Sequence, residues 1–105
     1  MEKTINRIRK FRKDREWEHF HTPSNLSKAI SIEAAELLEE FLWDNENYNK
    51  QNVEEEIADV MVYCIHMADA LNVDISEIIN KKMDKIEKKY PVEKAKGNSK
   101  KYTEL

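Results

Sequence analysis

One glycine, two prolines and one cysteine are spread over 105 residues. A β-sandwich or barrel needs turn residues at close intervals, so this scarcity excludes one. Gly97 stands alone, which excludes a glycine-rich phosphate loop. Cys64 has no partner for an internal disulfide, and the default compartment is a reducing one. No apolar run reaches the roughly 18 residues of a membrane span. The N-terminal stretch Met1 to Arg15 is charged and lacks the apolar segment of a signal peptide. The expectation is a soluble, cytoplasmic, all-α chain that does not touch membrane. At this length it forms a single domain with a small core, which self-association would help to stabilise.

What is present is charge, 37% of the chain against roughly a quarter in ordinary domains. It is segregated. Residues 1–15 hold seven Lys or Arg, and residues 81–101 hold nine. Between them, residues 16–80 hold only Lys28 and Lys50 against fifteen acids, ten of which fall between Glu33 and Asp59. The net charge of −3 argues against a general nucleic-acid binder. An acidic centre between basic ends suits a metal–polyphosphate ligand, although many of these charges line solvated helix faces.

Apolar spacing predicts helices over about residues 4–17, 25–43, 52–71 and 74–90, followed by a basic tail over 92–105. Ile5, Ile8 and Phe11 share a stripe on the first. Ser24, Asn52 and Asp74 are the expected N-caps of the other three, with Glu55 and Glu77 as capping-box partners. Pro91 ends the fourth helix and biases Tyr90 out of it. The stretch Val60 to Ile65 is apolar nearly all round, so the third helix is expected to be central or to lie at a subunit interface.

Two carboxylate pairs carry the chemistry, Glu33-x-x-Glu36 and Glu56-x-x-Asp59. Residues three apart share a helix face. Glu33 and Glu36 fall on the stripe of Leu26, Ala29, Ile30, Leu37 and Phe41. Glu56 and Asp59 share a face with Tyr63. An unpaired ion buried on an apolar face costs several kcal/mol. Such carboxylates must be protonated, paired or bound to a cation, and basic partners are nearly absent here. Oxygen ligands select hard cations, Mg²⁺ with Mn²⁺ as a substitute. The competing account is a solvated groove, or pairing with Lys82 and its neighbours. Glu36 is the expected general base, with Glu40 in the outer shell.

These residues, in order, resemble the MazG-like all-α nucleoside triphosphate pyrophosphohydrolases, and specifically the dCTP pyrophosphatase type. The markers are Trp17-Glu18-His19-Phe20-His21 with Pro23, Asn25 and Leu26. Then come Glu33-Ala-Ala-Glu36-Leu37 with Phe41 and Trp43, and Glu56-Ile-Ala-Asp59-Val60 with Tyr63. Last are Lys82-Met83, Tyr90-Pro91 and Ser99-Lys-Lys-Tyr-Thr-Glu-Leu105. The resemblance runs from about Arg9 to Leu105. It implies a four-helix bundle-like fold that forms homodimers or homotetramers. It implies hydrolysis of a (deoxy)nucleoside triphosphate to monophosphate and pyrophosphate, with Mg²⁺ held at Glu33, Glu36, Glu56 and Asp59. It puts Trp17, His21, Trp43 and Tyr63 in the substrate pocket, and we add Asn25. Lys82 is expected to hold a phosphate, and Lys100, Lys101 and Tyr102 to fold over the nucleotide. Ile8 stands where the dCTP type has a substrate-contacting His, and Ile86 where many relatives have Asn, so the preferred base stays open.

Other assignments compete. Trp17 and Trp43 fit a core or interface by composition alone. His66 is expected to be structural, and Cys64 an inert thiol. Glu16-x-x-His19 and Glu18-x-x-His21 have the spacing of a di-iron carboxylate bundle. A non-catalytic helical module that binds nucleotides or partners is the remaining alternative.

Overall fold

In the computed structural model, which describes residues 1–105, every regular element is helical. The order is α1 (Glu2–Asp14), a 3₁₀ turn (Glu18–Phe20), α2 (Pro23–Glu39), α3 (Lys50–Ala70), α4 (Ile75–Lys89), a one-turn α5 (Val92–Ala95) and a last 3₁₀ turn (Tyr102–Glu104). No helix is long and apolar enough to cross a membrane.

Two expected caps move. Thr22, not Ser24, caps α2: its Oγ1 accepts from the Asn25 N–H at 3.1 Å, and Pro23 takes the first helical position, where no N–H is needed. Asn49, not Asn52, caps α3, accepting from the Asn52 N–H at 3.0 Å. Glu55 therefore has no capping box to complete. Asp74 caps α4 as expected, accepting from the Glu77 N–H at 2.9 Å.

Helix ends differ too. α1 stops at Asp14 because Glu16 turns left-handed, with φ 53°. The Glu16 N–H then donates to the Lys13 carbonyl and the Trp17 N–H to that of Arg12. That is a Schellman ending, here without the glycine that announces one. It carries Trp17 back onto Phe11, with ring centroids 5.5 Å apart, edge to face. Asn72, with φ 54°, ends α3 in the same way. α2 gives way after Glu39 to tighter turns through Leu42, leaving Trp43 outside the helix and 93% exposed.

The chain divides into two compact units, Met1–Val73 and Asp74–Leu105. In the first, α2 pairs along α3, and α1 rests on α3. Its fully buried residues are Leu26, Ile65, Ala68 and His66. Val60 and Val62 to Cys64 are half-buried, whereas Met61 is exposed, so the apolar belt of α3 is only partly covered. In the second unit, Tyr102 meets Tyr90 edge-on at 6.2 Å, and the Lys89 ammonium lies 4.7 Å from the Tyr102 ring centre.

Replacing Thr22 with Ala should cost about 1 kcal/mol in urea unfolding, while Ser24→Ala should stay within about 0.5 kcal/mol. Equal losses would contradict the cap assignment.

Candidate metal and nucleotide site

α2 and α3 bring the two carboxylate pairs together. One oxygen from each of Glu33, Glu36, Glu56 and Asp59 lies within 4.8 Å of the others. Glu33 and Glu56 are half-buried, and Glu36 and Asp59 are exposed. The Oε2 atoms of Glu33 and Glu56 are buried without a hydrogen-bond partner. The ion pairs of the chain lie elsewhere, on Asp14, Glu54, Asp69 and Glu77.

The strain registers in the proton affinities. Burial, then hydrogen bonding and repulsion from Glu36 and the charges of Asp59 and Glu56, push Glu33 from 4.5 up to about 6. Burial and the charges of Glu36 and Asp59 raise Glu56 as well. A buried acceptor without a donor is costly, and here two such oxygens face other acceptors. A divalent cation fits this donor set: all ligands are hard oxygens, two of them otherwise unsatisfied. The group contains no histidine, so the di-iron pattern has no Glu-x-x-His ligands at this centre.

Beside the carboxylates an open cavity of about 450 Å³ is lined by Glu36, Glu39, Glu40, Leu42, Trp43 and Glu56. Trp43 therefore stands at the rim of the acidic centre. His21 and Tyr63 lie beside His66 instead, and Trp17 lies beside His21. The ring centroids of Trp17 and His21 are 6.4 Å apart, those of His21 and His66 4.4 Å, and those of Tyr63 and His66 6.0 Å. Asn25 spends its side-chain amide on the Phe20 carbonyl, at 3.1 Å, and so braces the turn that carries His21. Lys82, Lys100, Lys101 and Tyr102 are exposed residues of the second unit.

A polar cluster escaped the sequence reading. Asp69 accepts from the Arg12 guanidinium at 2.8 Å and from Arg9 at 2.9 Å. A second Arg12 nitrogen lies 2.9 Å from His66 Nδ1. Burial works against the Asp69 charge, but the two guanidiniums outweigh it and hold the carboxyl below its ordinary range. Burial, then His21 and Arg12, push His66 from 6.5 down to about 4. One signal was available: Asp69 is the only charge between Val60 and Leu71, and a carboxylate in so apolar a stretch demands a cationic partner.

The carboxylate centre sets a pH dependence. Between 4.5 and about 6 the folded metal-free chain holds a proton on Glu33 that the unfolded chain has released. Stability from this group is thus greatest at low pH and is lost as pH rises through about 6. Cation binding needs the ionised form, so the gain in Tm from added Mg²⁺ should be large at about pH 7.5 and nearly absent at about pH 5. Equal gains at both pH values, read by differential scanning calorimetry, would contradict the assignment.

A family model described as the MazG-like family matches residues 28–105. The chain is 34% identical to human dCTP pyrophosphatase 1, and 33% identical to the mouse protein of that name, over 117 aligned residues. The alignments cover 99% of this chain and 69% of each relative. A crystal structure of a pyrophosphatase from Archaeoglobus fulgidus superposes with a TM-score of 0.78 at 42% identity, covering 87% of this chain and 92% of that one. The chain belongs to the MazG-like family and is a nucleotide pyrophosphohydrolase.

Proposed function

We propose that the protein hydrolyses (deoxy)nucleoside triphosphates to monophosphate and pyrophosphate with Mg²⁺, and that dCTP or modified pyrimidine nucleotides are its substrates. One observation carries the reading: four carboxylates converge within 4.8 Å with two buried oxygens unpartnered. The activity named for the mammalian relatives supplies the substrate class.

Glu33, Glu36, Glu56 and Asp59 would hold the cation. When bound, the cation neutralises phosphate oxygens and aids ionisation of a water molecule. The chain's own residues do the rest. Glu33 and Glu56, half-buried, are the anchored ligands. Glu36 is exposed at the cavity mouth, so it is the carboxylate that can also reach a water. It would accept the proton as the water oxygen adds to one phosphorus of the α–β bridge; the bridging P–O bond breaks, and monophosphate and pyrophosphate separate, one carrying the water oxygen and the other the bridging oxygen. Glu40 is half-buried on the same cavity wall and would orient the water from outside. Trp43 at the rim, with Trp17, His21, Asn25 and Tyr63, would enclose the nucleoside. Lys82, Lys100, Lys101 and Tyr102 are the proposed phosphate-binding residues.

Self-association completes the proposal. Ile32, Leu38, Leu42, Ile57 and Met61 are exposed on or beside α2 and α3. Apolar surface of this kind on the central helix pair marks an interface, and we infer a homodimer or homotetramer. A monomer mass from sedimentation equilibrium would contradict it.

Pyrophosphate release from dCTP should stop in excess EDTA and return with Mg²⁺ or Mn²⁺. Glu36→Gln and Asp59→Asn should each lower turnover by more than about 10³-fold while helical CD stays near wild type. Undiminished hydrolysis in EDTA, or by either variant, would sink the mechanism.

A further inference from the structure

Behind His21 the cluster on α1 and α3 is ordered as a chain of contacts. Arg9 and Arg12 grip Asp69, Arg12 reaches His66 Nδ1, and the His66 ring lies against the His21 ring. The Arg12 and Asp69 side chains are only 12% and 15% exposed, so this is no loose surface pair. A guanidinium has donors and no acceptor. His66 Nδ1, 2.9 Å from an Arg12 nitrogen, must therefore be the acceptor, which leaves the ring neutral with its proton on Nε2.

The orientation of His66 is thus fixed from one side by Arg12, and its ring face is set against His21. His21 Nδ1 is buried and has no partner. His21 also lines a small cavity of about 140 Å³, together with Arg12, Glu18, His66 and Asp69. That space does not suit a triphosphate, and it lies well along α3 from the carboxylates: His66 follows Asp59 by seven residues, about 10 Å of helix. A half-buried imidazole with one unpartnered nitrogen suits a neutral hydrogen-bonding group of base or sugar.

We propose that His66, held by Arg12 and Asp69, is a positioning residue that acts through His21, fixing the orientation of the His21 ring for the nucleoside part of the substrate. The inference rests on the reading of His21 as a substrate-binding residue. Neither His66, Arg12 nor Asp69 needs to touch the reacting phosphates. Their effect falls on nucleoside binding alone.

A double-mutant cycle tests this in the full-length protein with dCTP and Mg²⁺. His66→Ala should raise KM about tenfold with kcat changed less than about twofold, and should raise it less than about twofold in a His21→Ala background. Inorganic tripolyphosphate, which has no nucleoside, should inhibit wild type and His66→Ala with the same Ki. Arg12→Lys keeps a charge beside Asp69 but loses the contact to His66. It should shift KM in the same direction, and it serves if His66→Ala does not fold. Equal KM shifts in both backgrounds, an unchanged KM, or a matching rise in the tripolyphosphate Ki would overturn the positioning role while leaving the hydrolase reading intact. A silent His21→Ala would overturn the positioning role together with the reading of His21 as a substrate-binding residue, and no pyrophosphate release by wild type would overturn the hydrolase reading as well.

Discussion

Four carboxylates that repel one another, on two helices that must pack, are the constraint around which the rest is arranged. α2 and α3 form the main helix pair of the first unit, and they meet where Glu33, Glu36, Glu56 and Asp59 converge. Packing the pair drives acids together and leaves two oxygens dry and unpaired. Without a cation that arrangement is held at a cost, expressed in the raised proton affinity of Glu33 and Glu56. A domain accepts such a cost at a functional site and offsets it elsewhere. Here the offset is modest, since the fully buried residues number only four.

Local features of this centre were legible in the sequence. Three-residue spacing put each carboxylate pair on one face, and the shortage of Lys and Arg between residues 16 and 80 excluded most neutralising partners. The helical class followed from the dearth of turn residues. Boundaries were less legible, because neighbouring residues compete for the same cap. Thr22 and Ser24 both carry a suitable hydroxyl, and Pro23 decides for Thr22 by occupying the first helical position. Glu16 and Asn72 each take a left-handed turn that composition did not announce for Glu16. The shorter α2 that results moves Trp43 from a helix face to a loop at the cavity rim.

The Arg9–Asp69–Arg12–His66 chain was illegible for a different reason. Its partners lie 54 to 60 residues apart, so no window of sequence contains the pairing. Once α1 rests on α3, the buried acid, the two guanidiniums and the neutral imidazole explain one another. Two electrostatic solutions thus sit on one helix. Near its start, acids crowd together without a cationic protein partner, a donor set that could hold a metal ion. Near its end, an acid is paired with two arginines. The first suits chemistry on phosphate, and the second gives a rigid polar wall beside the aromatic residues.

The most direct test of the account is a crystal structure of the protein grown with Mn²⁺ and a non-hydrolysable dCTP analogue. An anomalous peak among Glu33, Glu36, Glu56 and Asp59, bridging to the triphosphate, is the predicted result. A manganese peak elsewhere, or a triphosphate bound away from these four carboxylates, would contradict it.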